Sequence, residues 1–191
     1  MTEHLSQTTQ GDAPLSTARE PDAKAVPGAS AQARTDDEVV GRTVTINRPR
    51  AELYAFWRDL PHLASFMQNI KEIRIVDERR SHWVVQAPAG KTAEWDSVIT
   101  EDRPNECIAW ASVPEARIRH SGSVRFRDAP AGRGTEVTAT LAYDPPVGAL
   151  GKAFAKLFQR EPNVQMRQDL RRFKQLMETG EVATARMRMT P

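Results

Sequence analysis

The segment "NRPRAELYAFWRDLPHLASFM", residues 47–67, decides how the chain folds, because it divides its apolar residues between two short helical pieces. Asn47 suits a helix cap and Pro49 suits a first helical turn. Pro61 lacks a backbone donor and disfavours helix at the residue before it, so the first helix should end near Asp59. The apolar residues at helical spacing are Leu53, Phe56 and Trp57 in the first piece, and Leu63, Phe66 and Met67 in the second.

Strand patterns lie on both sides of this segment. One β-branched, alternating run precedes it, and six follow it, separated by turn sequences such as "DERRS", "DRPNE" and "PAGRG". Short connections of this kind predict an antiparallel meander. The predicted strands are 39–46, 70–77, 82–87, 92–101, 106–113, 116–128 and 135–143.

The last part of the chain, residues 145–180, returns to helical spacing. Pro162 should kink or restart this helix, and Gly180 should end it. Its apolar positions are Leu150, Phe154, Leu157, Phe158, Met166, Leu170, Phe173 and Met177. A curved seven-stranded antiparallel sheet around one long amphipathic helix is the simplest two-layer α+β arrangement. The two short helices would run from one sheet edge to the other and close one end of the groove.

The chain ends differ in composition from this domain. Residues 1–38 contain no aromatic side chain and carry three basic against seven acidic residues, so we predict a disordered tail there and another at 183–191. The predicted domain is 39–182. With no secretory signal and no apolar run of about 18 residues, the chain is expected to be cytoplasmic. The single cysteine, Cys107, lies in the apolar run "CIAWASV" and is expected to be a buried structural thiol.

The stretches "RPRAELYAFWRDLPHLASFM", "SHWVV", "AEWDSVITEDRPNECIAWAS", "HSGSVRF", "GTEVTATLAYDPPVG" and "DLRRFKQLMETGE" resemble the bacterial cyclase/dehydrase branch of the helix-grip superfamily. That superfamily also contains START lipid-transfer domains and birch-pollen-allergen-like proteins. The resemblance covers about residues 39–181 and implies a helix-grip fold with an inner cavity. Members include lipid carriers, hormone receptors, cyclases and ribosome-associated proteins, so the fold alone does not assign a function.

Strand alternation predicts which side chains face that cavity. In the strand 116–128, arginines occupy four odd positions, 117, 119, 125 and 127, and must face water, so His120 faces inward. Gly122 is interpreted as a bend or bulge in this strand. The same alternation places Trp83, Trp95 and Trp110 on the inner face.

The predicted ligand-binding residues are Trp83, Trp95, Trp110, His120, Phe126, Tyr143, Phe154 and Phe158. Apolar walls with a few polar tips are typical of a small-molecule pocket, but they also describe an ordinary core. His120 and Tyr143 are the only catalytic candidates, and the alternative for His120 is a core histidine hydrogen-bonded to Tyr143, Ser97 or water. No metal site, cofactor motif or nucleic-acid motif is found. Lys152, Lys156 and Arg160 form a basic stripe that either contacts an anionic membrane surface or is a solvated helix face.

Three functions are therefore compared. The leading hypothesis is the binding or transport of a small hydrophobic ligand such as a lipid, an isoprenoid or a polyketide-like aromatic; the resemblance supplies the ligand class. The second is an aromatase/cyclase-type enzyme, which needs two or more polar groups converging on one point of the pocket. The third is a non-enzymatic interaction module with a packed core. An enzyme is the less favoured class.

Overall fold

The computed structural model describes residues 38–86, 90, 92–116, 119–144 and 162–182, without the side chains of 38, 39, 143, 144, 162 and 163. The strands are β1 (Glu38–Ile46), β2 (Ile70–Ile75), β3 (Arg80–Gln86), β4 (Thr92–Arg103), β5 (Cys107–Ser112), β6 (Arg119–Asp128) and β7 (Thr135–Asp144). The helices are α1 (Arg50–Arg58), a 3₁₀ helix (Leu60–Ser65), a 3₁₀ turn (Pro130–Gly132) and α2 (Pro162–Thr179).

The seven strands form one antiparallel sheet in the order β1-β7-β6-β5-β4-β3-β2. Strands β2 to β7 follow one another as a meander, and β1 adds to the far side of β7. The two strands that flank the helical pair in sequence are therefore the two edges of the sheet. This confirms the predicted helix-grip architecture, in which α1 and the 3₁₀ helix connect one edge to the other.

The break between the two short helical pieces is confirmed at its predicted place. Helix α1 ends at Arg58, and Asp59 has non-helical dihedral angles, φ −82° and ψ 79°. The second piece is a 3₁₀ helix with Pro61 in its first turn, as suits a residue that lacks a donor. The predicted Asn47 cap is wrong: Pro49 stands at the cap, and the backbone N–H of Asn47 donates to Glu178 Oε1 over 2.7 Å.

One end of the inner face is filled by aromatic rings from α1, from β6, from α2 and from the turn after the 3₁₀ helix. The rings of Phe66 and Phe173 lie 4.9 Å apart, and those of Trp57 and Phe173 lie 5.1 Å apart. Phe126 adds an edge contact to Trp57 at 6.5 Å. All four side chains are at most 3% exposed. This cluster joins α1 and α2 to the sheet and fixes the geometry of the adjoining space.

The described part of the C-terminal helix runs from Pro162 to Thr179, and the predicted kink or restart at Pro162 stays a prediction because the residues before it lie outside the described ones. Gly180 ends the helix as predicted, with φ +79° and its N–H bonded to Leu176 O at 2.8 Å. The predicted apolar positions Leu150, Phe154, Leu157 and Phe158 lie outside the described residues. So do both predicted tails, apart from residue 38, and the predicted disorder there stays a prediction.

Candidate functional site

A cavity of about 190 Å³ lies between the sheet and α2. Its walls are apolar except for a few side chains from the sheet, the 3₁₀ region and the helix. An apolar cavity of about 150 Å³ is enough to take up benzene, so this space is sufficient for a ligand of about one ring or more. The lining residues on which the argument depends are Trp83, Trp95, Trp110, His120, Gln165 and Asp169.

All four tryptophans of the chain lie in the wall of this cavity, and the three on the sheet do so as strand alternation predicts. Trp83 and Trp95 are directly opposed across β3 and β4, and Trp110 lies on β5. The indole N–H of Trp83 donates to Ser81 Oγ over 2.9 Å, which satisfies its polar atom inside the protein. The sheet therefore presents a mainly aromatic surface to the cavity.

Gly122 has a different role from the predicted bend or bulge. It lies opposite Trp110 in a regular stretch of pairing between β5 and β6. A Cβ at this position would be 2.5 Å from Trp110 Cζ2, well inside van der Waals contact. The glycine is needed because the Trp110 ring approaches its backbone too closely to leave room for a side chain. The register shifts occur elsewhere, between Ile70 and Glu72 and between Ile99 and Glu101.

His120 faces inward and lines the cavity, as predicted. Its Nε2 lies 3.2 Å from Ser97 Oγ, and its ring meets Trp95 edge-on at 5.1 Å. Its backbone N–H donates to Ser112 Oγ over 3.1 Å. The hydroxyl of Ser97 is thus a polar partner of the ring. Ser97 is one of the three partners predicted above for a histidine that is part of the core. The contact fixes the ring at the cavity wall.

The helix contributes a second polar group that the sequence analysis missed. Asp169 lines the cavity with its side chain only 15% exposed. Gln165 Nε2 donates to both of its oxygens, at 2.9 and 3.0 Å, and an Arg172 N–H donates to Oδ1 at 3.2 Å. Burial raises the pKa of Asp169 to about 6, although the bonds to Gln165 and Arg172 act in the opposite direction. At neutral pH the cavity wall therefore carries a carboxylate that is costly to ionise.

The remaining predicted ligand-binding residues are placed differently. Phe126 faces inward but belongs to the packed aromatic cluster and is absent from the cavity wall. The side chain of Tyr143 is not described, although its backbone pairs with His120. Phe154 and Phe158 lie outside the described residues, as do Lys152, Lys156 and Arg160. Their roles in ligand or membrane contact stay predictions.

Other chemistry finds little support in the described part of the chain. Cys107 is fully buried, and burial raises the pKa of its thiol, so it is not set up as a nucleophile. No group of three or more metal-ligating side chains occurs among the described residues. Within the same residues no helix is long and apolar enough to cross a membrane.

Residues 46–171 match the family described as "Polyketide cyclase / dehydrase and lipid transport". The chain belongs to this family. No functionally curated protein matches it. The resemblance inferred from the sequence motifs is thus confirmed.

Solved structures show the same fold. The protein DR_A0006 from Deinococcus radiodurans is 44% identical, with a TM-score of 0.62 over 75% of this chain and 100% of its own. The protein TTHA0849 from Thermus thermophilus is 25% identical, with a TM-score of 0.57 over 73% of this chain and 94% of its own. The ZhuI aromatase/cyclase from Streptomyces sp. R1128 is 16% identical, with a TM-score of 0.59 over 77% of this chain and 99% of its own. The last of these similarities supports the fold alone.

Proposed function

We propose that the protein binds a small, mainly apolar ligand of lipid, isoprenoid or polyketide-like character in the cavity between the sheet and α2. The observation that carries this proposal is the cavity itself, about 190 Å³ of space with four tryptophans in its wall. Protein interiors are normally packed to crystal-like density, and few cores leave a space of this size. The cavity also argues against a fully packed interaction module.

The polar groups in the wall limit the ligand further. The His120 ring and the Asp169 carboxylate lie in the same apolar cavity, so a pure hydrocarbon would bury the carboxylate against an apolar surface. A ligand with a hydroxyl or carbonyl group can bond to one of these groups while its apolar body contacts the tryptophans. We therefore favour a ring-containing ligand with at least one oxygen.

The buried carboxylate of Asp169 favours a functional site in this cavity, because an ordinary core would not need it. Asp169 has its pKa raised to about 6, so at neutral pH the fold retains a carboxylate whose ionisation is disfavoured there. An asparagine of the same shape would avoid this cost. Groups that oppose stability in this way are common at ligand-binding and active sites.

The test uses naphthalene and a naphthol as probes, with binding followed by calorimetry and by tryptophan fluorescence. Wild-type protein should bind both, and the naphthol more tightly. Ala139→Phe places a ring in the cavity, because Ala139 is 6% exposed and lines it, and should abolish binding. Thr138→Phe puts the same ring on the opposite face of β7 and should leave binding unchanged. A wild-type protein that binds neither probe would contradict the proposal.

An aromatase/cyclase-type enzyme is the second candidate, and a specific observation favours it. Asp169, whose pKa burial raises to about 6, gives the cavity a second side chain able to exchange a proton in addition to the His120 imidazole, where the sequence offered only His120 with Tyr143. Proton abstraction next to a carbonyl is the elementary step that such chemistry needs. The test is the exchange of the methyl protons of an aryl methyl ketone in deuterated water, measured by NMR. Catalysed exchange that is lost in both His120→Ala and Asp169→Asn, with probe binding retained, would establish this function, and exchange at the uncatalysed rate would exclude it.

A further inference from the structure

Strand β2 is an open edge of the sheet within the described residues, where it pairs only with β3. The N–H of Val76 donates to Arg80 O on β3 over 2.9 Å. Because residues of antiparallel strands alternate between facing the neighbour and facing away, Ile73 and Ile75 direct their backbone groups outward. No described residue bonds to these outward groups.

The opposite edge of the sheet is treated differently. On β1, Lys174 Nζ donates to Thr45 O over 2.7 Å, and the Arg42 side chain donates to Gly41 O over 2.7 Å. Side chains thus occupy backbone acceptors of β1, one of them from α2. Among the described residues, no side chain bonds to the outward backbone groups of β2 in this way.

Apolar exposure coincides with this open edge. Ile75 and Val76 are 53% and 56% exposed, and they are the large hydrophobic side chains that the described residues leave in water. Ile75 is the last residue of β2, and Val76 follows it directly. Exposed apolar residues on an unpaired edge strand favour pairing with another strand.

The charges of β2 select the partner. On its outer face Glu72 and Arg74 lie 3.2 Å apart, both more than half exposed. We propose that β2 pairs with β2 of a second copy of this chain, antiparallel about a twofold axis at Ile73. In this register Glu72 lies opposite the partner's Arg74, and Arg74 lies opposite the partner's Glu72, so no like charges meet. The two sheets would join into one continuous sheet.

Charged edge strands commonly prevent pairing, and β2 has features of this kind. Lys71, Glu72 and Arg74 would oppose like charges in most other registers, and the register shift between Ile70 and Glu72 disturbs the start of the strand. These features disfavour other registers and leave the self-complementary one, in which the Glu72 and Arg74 pairs flank the axis, Ile75 lies opposite Lys71 of the second copy and Val76 lies opposite its Ile70. Ile75 and Val76 then lie beside the start of the partner strand and lose contact with water. The contact is short, so the dimer is weak and concentration-dependent.

The test is sedimentation equilibrium of the full-length protein over a range of concentrations. Wild-type protein should form dimers, and Glu72→Arg and Arg74→Glu should each weaken association at least tenfold, because each places like charges opposite one another. An equimolar mixture of the two variants should associate again, since each supplies the charges that the other lacks. Glu115→Arg, a charge reversal at an exposed turn after β5, should leave association unchanged.

The mixing experiment separates this interface from an effect within one chain. Both single variants lose the internal pair between Glu72 and Arg74, and mixing cannot restore it. Recovery on mixing therefore requires contact between β2 strands. A wild-type protein that stays monomeric at all concentrations, or a dimer that neither reversal weakens, would overturn the proposal.

Discussion

The two ends of the inner face use the same kind of side chain with opposite results. At one end, Trp57, Phe66, Phe126 and Phe173 pack ring against ring and are almost fully buried. At the other, Trp83, Trp95 and Trp110 line a space of about 190 Å³, and Trp57 lies between the two ends because it borders this space as well.

The difference comes from what faces the rings. At the packed end, aromatic side chains of α1, of the turn after the 3₁₀ helix and of α2 meet the ring of Phe126 on the sheet. At the open end, the described part of α2 contributes Met166, Gln165 and Asp169 instead, and the sheet contributes His120. Aromatic residues on an inner face do not by themselves indicate a pocket. A pocket is indicated where polar groups interrupt the facing apolar surface.

The largest expected effect is a difference in unfolding free energy between a variant at the packed end and a variant at the open end. Phe173→Ala removes the ring at the centre of the packed cluster and should cost about 3–5 kcal/mol of unfolding free energy. Trp95→Ala removes a larger side chain but one that already borders open space, so it should cost less than half as much. Urea unfolding of both variants measures the difference. Equal losses would show that the open end is packed as tightly as the other.

Asp169→Asn tests the open end through the pH dependence of protein stability. Because the folded-state pKa of Asp169 is raised from 3.8 to about 6, the wild-type protein loses stability as pH rises through this window. The variant should lack this loss. It should match wild type near pH 3 and exceed it by up to about 3 kcal/mol at pH 7, given about 1.4 kcal/mol per pKa unit. Denaturant unfolding at several pH values measures it, and a constant difference at every pH would contradict the raised pKa.

Gly122→Ala tests the contact that holds Trp110 in the cavity wall. The added methyl group would lie 2.5 Å from the Trp110 ring and should cost about 1–3 kcal/mol as the ring is displaced. In a Trp110→Ala background the same change should cost much less. Unfolding measurements on the four proteins of this double-mutant cycle give the coupling. Additive costs would show that the close approach to Thr140 O, at 3.1 Å, dominates instead.

Much of this site follows from residue order, and the reason is the alternation of strands. Four arginines in odd positions of one strand face water, so His120 must face inward. Similar alternation on the other strands predicts the inward orientation of the tryptophans. Likewise, the Pro61 break follows from the missing donor of proline. These features depend on local rules.

What the sequence analysis missed depends on contacts between elements. Gly122 was interpreted as a bend or bulge because its neighbour Trp110 is on another strand. The local sequence does not determine which residues of two strands lie opposite one another. The sequence analysis did not name Asp169 as a candidate. Its position three residues after Met166 and four before Phe173 puts it at the margin of the apolar stripe, and this signal could have identified it.

The central claim, that the open end of the inner face holds a small apolar ligand with a polar group, is tested most directly by native mass spectrometry. The protein should be purified from its own host without added ligand, and any bound molecule released by denaturation and identified. We expect a stoichiometric adduct above the 21.4 kDa chain that is absent from Ala139→Phe and retained in Thr138→Phe. A wild-type chain at its bare mass, which also binds neither naphthalene nor naphthol, would contradict the claim.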